Sequence, residues 1–135
     1  MKVNLVHDWL IDFGGAEKVL EALVEAFNPI KIYTLFYNNK NFSNSIISKK
    51  EIITSFLDKN FVKKRYRNFL PLFPFAIEQF DLEENDVLIS SSHCVAKGII
   101  PKSNQIHICY CHTPLRYAWD QSYDYLKFLN LEKGI

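Results

Sequence analysis

The chain has 135 residues, 48% of them hydrophobic and 23% charged, a size and balance that fit one globular domain and exclude disordered and collagen-like classes. Sixteen Lys and Arg against fifteen Asp and Glu leave a net charge of +1, which speaks against a protein that lives by binding nucleic acid. The apolar run Val3 to Val6 stops at His7-Asp8, too short for a secretory signal, and no run nears the roughly 18 to 20 apolar residues of a membrane span. A cytoplasmic protein is expected, with its three cysteines (Cys94, Cys109, Cys111) reduced.

In chain order, Lys2 to His7 reads as a first strand. Gly14-Gly15 then opens a helix whose apolar residues Ala16, Val19, Leu20, Leu23, Val24 and Phe27 repeat at helical spacing. Glu17, Lys18, Glu21 and Glu25 are assigned to the opposite, polar face, and Asn28-Pro29 ends the helix. Ile30 to Phe36 is β-branched and aromatic, a second strand, followed by an Asn-rich loop from Tyr37 to Ser45. Glu51 to Ser55 gives a third, shorter strand. Between Asp58 and Phe80, Pro71 and Pro74 forbid one continuous helix, so two short helices with a break are expected. An acidic patch follows at Glu78, Asp81, Glu83, Glu84 and Asp86. Asp86 to Ser90 is a fourth strand, Ser91-Ser92-His93 leads a short helix to Gly98, and Gln105 to Cys111 is a fifth strand. Leu115 to Leu131 reads as helical. Strand and helix alternate in the way that builds βαβ units, so the expected fold class is α/β, a Rossmann-like three-layer domain with a mainly parallel sheet.

Ligands of such folds sit beyond the carboxyl ends of the strands. Gly14-Gly15, Ser90 to His93 and His112-Thr113-Pro114 all fall on that edge, and their coincidence weighs more than any one of them. Gly14-Gly15 either cradles a phosphate or hydroxyl with backbone N–H groups or is a plain turn. It lacks both the third glycine of a dinucleotide fingerprint and the Lys-Ser/Thr of a P-loop. His112 can donate, accept or carry charge near neutral pH, which suits sugar hydroxyls or a developing positive centre, though a lone histidine is often structural. Ser91 and Ser92 are read as helix caps. His107, Cys109 and Cys111 alternate along one strand face and mimic a metal cluster. With no second ligand pair to complete a zinc site, they are read as part of a strand buried on both sides, and no metal is assigned. Lys63, Lys64, Arg65 and Arg67, interleaved with aromatic residues, fit either an anionic membrane surface or a solvated helix.

The series Val6-His7-Asp8-Trp9, Gly14-Gly15-Ala16-Glu17-Lys18-Val19, Ile32-Tyr33-Thr34-Leu35, Thr54-Ser55-Phe56-Leu57, Ile89-Ser90-Ser91-Ser92-His93 and Ile108 to Asp120 resembles the amino-terminal half of family-four glycosyltransferases. The likeness is to the mannosyltransferase-like bacterial members that build O-antigen and exopolysaccharide. It implies one half of a GT-B enzyme, in which two Rossmann-like domains face each other across a cleft. Transfer would be retaining and metal-independent, with no cofactor beyond the nucleotide-sugar donor, such as GDP-mannose. The resemblance implies that Gly14 and Gly15 approach the donor diphosphate or reacting sugar, and that His112 contacts the transferred sugar. It also implies that His7, Asp8, Ser92 and His93 line the acceptor side.

Residues 1–135 are then expected to be a single acceptor-side domain, with the nucleotide-sugar-binding domain absent from the chain and supplied in cis or as a separate chain. Glu17 and Glu25 have the Glu-x7-Glu spacing of that missing domain, but they sit on the first helix. The expected partners are a nucleotide-sugar, a glycan or lipid-linked acceptor and an anionic membrane surface on the cytoplasmic side, with no nucleic acid. The chain alone is expected to be inactive or nearly so. The competing class is a stand-alone Rossmann-type binding module for a glycan, lipid head group or partner protein. A flavodoxin-like or dinucleotide-binding protein ranks behind both, because neither glycine fingerprint is present.

Overall fold

Five short runs of apolar and β-branched residues pair into one all-parallel sheet. They are β1 (Val3–His7), β2 (Lys31–Thr34), β3 (Glu51–Thr54), β4 (Val87–Ser92) and β5 (Ile106–Cys111), in the spatial order β3-β2-β1-β4-β5. The computed structural model describes residues 1–82 and 86–112. The helix expected from Leu115 to Leu131 and the acidic Glu83 and Glu84 lie outside them. The arrangement is the Rossmann-like α/β fold that the sequence predicts, and strand order reverses between β1 and β4.

The two faces of this sheet are covered by different elements. Side chains alternate along each strand, so odd and even positions of β1 enter separate cores. Val3 and Leu5 join Ile32 and Ile89 beneath α1 (Gly15–Phe27), where Leu20 and Val24 are buried. Each of these side chains contributes about 1.5 to 3 kcal/mol when taken out of water. Val6 instead joins Tyr33, Leu88, Trp9 and Phe36 beneath α3 (Phe73–Glu78), which supplies Phe73, Ala76 and Ile77, and α2 (Asn60–Lys64), which supplies Val62. Between α2 and α3 runs a 3₁₀ helix, Tyr66–Leu72, that accommodates Pro71. Pro74 falls in the first turn of α3, where its missing N–H is not needed. The two short helices and their break match the sequence reading.

Several local expectations need correction. The segment read as a loop after β2 contains two 3₁₀ turns, Asn39–Phe42 and Ile46–Lys49, because Phe42 and Ile47 are drawn into the core under α1. In α1, Phe27 is exposed and Glu17 is buried, the reverse of the simple amphipathic assignment. β4 continues through Ser91 and Ser92, and the expected helix to Gly98 is only a 3₁₀ turn, Ala96–Gly98, in which the Ser92 hydroxyl accepts from the Lys97 N–H while Ser91 caps nothing. Finally, among the described residues β5 is the last strand of the sheet and its Ile106, Ile108, Cys109, Tyr110 and Cys111 are exposed, so it is not a strand buried on both sides. Among the described residues, no helix is long and apolar enough to cross a membrane.

Candidate functional site

At the reversal of strand order, the carboxyl ends of β1 and β4 lie side by side, with His7 opposite Ser91 in register. The alternation that splits the core also splits the polar residues here. His7 and Ser91 point to the α1 side, and Asp8 and Ser92 serve the opposite side.

On that opposite side, the chain leaves β4 and wraps around the Asp8 carboxylate. Oδ2 accepts from the N–H groups of His93 (2.7 Å) and Cys94 (3.1 Å), and Oδ1 from those of Val95 (2.8 Å) and Ala96 (2.7 Å). Ser92 Oγ donates to Oδ1 at 3.3 Å and accepts from Lys97 N–H at 3.1 Å. His93 Nδ1 lies 2.9 Å from Oδ2, an ion-pair distance, but out of line for a hydrogen bond. Burial by itself would raise the Asp8 pKa. The His93 imidazole, the His7 imidazole and the Ala96 N–H outweigh it and hold the carboxyl well below the usual range. Four consecutive N–H groups converging on one point form an anion-binding nest, and the protein's own carboxylate fills it. Asp8 is 0% exposed, as are His7 and Ser92, so these three support the site from beneath its surface.

His93 keeps part of its ring in solvent and meets Trp9 edge-on, 4.8 Å between centroids. Burial opposes its charged form, but the Asp8 carboxylate more than compensates and raises its pKa. Cys94, buried beside the same carboxylate, has its thiol pushed up to about 12, so it is an inert thiol.

On the α1 side, a chain of polar contacts runs from the helix to β5. Gly14 is the N-cap of α1, and its N–H donates to Glu17 Oε2 at 3.0 Å. Glu17 Oε1 stands 3.3 Å from His7 Nε2, His7 Nδ1 stands 3.2 Å from Ser91 Oγ, and Ser91 Oγ stands 2.7 Å from His112 Nε2. The His112 N–H donates to the Ser92 carbonyl at 2.9 Å, which extends β5's pairing and fixes the ring beside β4. Burial raises the Glu17 pKa, but the His7 contact and the Gly14 N–H bring it below its ordinary value. Burial lowers the His112 pKa, and the charges of His7 and His93 push it further down. One edge thus holds two histidines driven apart, His93 toward the cation and His112 toward the neutral imidazole, a pattern typical of acid–base and charge-stabilising sites.

Gly15 adds the room such a site needs. A Cβ built there meets nothing within 4 Å, whereas one on Gly14 comes within 3.3 Å of Glu17 Oε2. A side chain at Gly14 would thus press on the inner contact and ask the Glu17 carboxylate to give by a few tenths of an ångström, whereas Gly15 leaves open space at the start of α1. An apolar cavity of about 450 Å³ lies on the other flank, lined by Leu70, Pro71, Pro74, Ile77, Cys94 and Val95, with Glu78 and Lys97 at its polar margin. Through Cys94 and Val95 it shares the loop that holds His93.

Of the sequence-predicted site residues, Gly14, Gly15, His7, Asp8, Ser92, His93 and His112 all gather at this edge. The Thr113-Pro114 pair after His112 lies outside the described residues. His107 is not part of the group: it bonds Ser90 at 2.9 Å, lower on β5. Among the described residues no cluster of three His, Cys, Asp or Glu side chains can hold a metal ion. The basic residues lie elsewhere, around α2. Lys64, Arg65 and Arg67 are exposed, with Arg67 stacked over Tyr66. Lys63, read with them as facing either a membrane or solvent, is instead held by an ion pair with Asp58 (2.9 Å) and a bond to the Tyr37 carbonyl (2.9 Å). Sequence reasoning missed Glu17 and Ser91. The available signals were an acidic residue three positions after the N-cap, where it can reach back to the turn, and the period-two placement of Ser91 level with His7. Compared with protein families, curated proteins and solved structures, the chain finds no match.

Proposed function

We propose that this chain forms the acceptor-side domain of a retaining GT-B glycosyltransferase, moving a sugar such as mannose from a nucleotide-sugar to a lipid-linked or polysaccharide acceptor. The observation that supports this reading most is the convergence at the switch point of the sheet of the open Gly15 turn, of His112, whose surroundings favour the neutral ring, and of His93, whose surroundings favour the charged one. In this reading a second Rossmann-like domain, in cis or in trans, faces that edge and carries most of the donor. Gly14 and Gly15 let the donor diphosphate or reacting sugar approach the backbone, and His112 contacts the transferred sugar near its reacting centre. His93, closer to the apolar cavity, faces the acceptor. The chemistry needs no metal: charge that develops at the sugar is met by fixed dipoles and imidazoles in a partly desolvated cleft.

The cavity beside His93 also favours the second reading, a stand-alone module that binds a glycan or lipid head group. Titration separates the two. The chain alone should bind nucleotide-sugars weakly or not at all; joined to a nucleotide-sugar-binding second domain, it should transfer sugar from GDP-mannose or a related donor to a lipid-linked acceptor. Tight nucleotide binding by the chain alone contradicts a site split between two domains. The exposed Phe56, Phe61, Leu72 and Phe75, together with Lys64, Arg65 and Arg67, support placement at the cytoplasmic face of a membrane, where lipid-linked acceptors reside.

A further inference from the structure

Glu17, His7, Ser91 and His112 form an unbroken chain of contacts from the first turn of α1 to the end of β5, and its middle members are fully buried. The proton count along that chain leaves little freedom. A carboxylate has only acceptor positions, so the His7 nitrogen facing Glu17, Nε2, must carry a proton. If His7 is neutral, its Nδ1 is bare and Ser91 must donate to it. A hydroxyl has one proton, so Ser91 Oγ can then only accept from His112, and His112 must be protonated at Nε2.

We propose that Glu17, His7 and Ser91 are positioning residues that fix the tautomer of His112. His112 is held with its proton on Nε2 and presents its second nitrogen, Nδ1, as an acceptor. Nδ1 has no partner among the described residues, and it is the nitrogen with which His112 can meet a ligand hydroxyl. The groups that bear on this ring are Glu17 from α1, His7 and Asp8 from the end of β1, His93 from the loop after β4, and Tyr110 on its own strand, 5.0 Å between ring centroids. Burial together with His7 and His93 disfavours the His112 cation, which agrees with a ring that keeps Nδ1 bare. That the ligand is a sugar hydroxyl rests on the glycosyltransferase reading; the fixed tautomer itself does not.

The test is long-range proton–nitrogen correlation NMR on the uniformly ¹⁵N-labelled 135-residue chain. The nitrogen shifts of each imidazole report which nitrogen bears a proton. His7 and His112 should each be found protonated at Nε2 only, with Nδ1 bare. An Nδ1–H tautomer of His112, or a His7 ring protonated at both nitrogens, overturns the proposal in the unaltered protein. Ser91→Ala should release the ring, giving His112 shifts averaged over both tautomers; unchanged shifts in a folded S91A chain overturn it equally. If S91A fails to fold, the unaltered chain still decides. Should the fixed tautomer hold while the chain joined to a second domain transfers no sugar, the functional reading fails and the positioning role stands. Transfer without the fixed tautomer removes the positioning role alone.

Discussion

His7 and Asp8 are adjacent in sequence and equally buried, yet they belong to networks of opposite character. Asp8 sits at the centre of a closed set: four backbone N–H groups and the Ser92 hydroxyl end on its two oxygens, with His93 alongside. His7 sits inside an open chain, anchored at Glu17 and ending at His112, with the last nitrogen left over for something else. The difference follows from one step along a strand, since successive side chains face opposite sides of a sheet. A closed network spends all its hydrogen-bonding capacity on shape. An open one carries a polar preference outward to a ligand. The same edge therefore contains both the scaffold and the group it orients.

The sharpest way to break this contrast is to remove the closed network's centre. Asp8→Ala leaves four backbone donors in a partly buried loop with no acceptor, and it should cost about 3 to 5 kcal/mol in urea unfolding. A loss under about 1 kcal/mol would mean that solvent satisfies the loop and that Asp8 organises nothing. In the open chain, His112→Ala should behave in the reverse way. It removes one hydrogen bond, about 1 kcal/mol of stability, while sugar transfer by the chain joined to a second domain should fall on the order of 100-fold. Normal turnover by H112A would take away the central claim about the site.

The contrast was only half legible in the sequence. Strand runs, the glycine turn and the placement of His112 at a strand end are local signals, and they led to the sheet edge where these residues gather. The Asp8 nest was not readable, because its four donors lie more than 80 residues away and become a cradle only once β4 pairs with β1. Ser91 and Ser92 looked like caps because the end of β4 is polar. Pattern alone cannot distinguish a polar strand end inside a buried crevice from the start of a helix. Glu17 was assigned outward by helical spacing, and a buried imidazole overrode that assignment. β5 looked doubly buried from its composition, but its place at the sheet edge is a property of topology.

A pH experiment sharpens the comparison further. His93 has a raised folded pKa, so its contribution to stability is complete below the unfolded value, about 6.5, and is lost as pH rises through the higher folded value. Asp8 has a lowered one, so its contribution is present above about 3.9 and fades as pH falls toward its folded value. The difference in urea midpoint between the unaltered chain and His93→Gln should therefore be larger at pH 6 than at pH 9; a difference that does not shrink with rising pH would show that the His93 charge adds nothing to stability. An NMR titration should place His93 above, and His112 below, the ordinary histidine value, in accord with their opposite environments. A common midpoint for the two rings would show that the closed and open networks do not differ in field.

The smallest expected effect applies the same distinction to the basic residues near α2. Lys63 is closed: Asp58 and the Tyr37 carbonyl hold its ammonium. Lys64 and Arg65 are exposed beside Phe61, which is 66% accessible. If this face meets an anionic bilayer, Lys64→Gln and Arg65→Gln should each weaken sedimentation with phosphatidylserine-containing vesicles by about fivefold at low salt, with the unfolding midpoint unchanged. Lys63→Gln should do the opposite, lowering stability slightly and leaving vesicle binding near normal. Equal effects from all three would mean that only net charge matters. The pairing of Lys63 would then say nothing about which side of the helix faces the membrane.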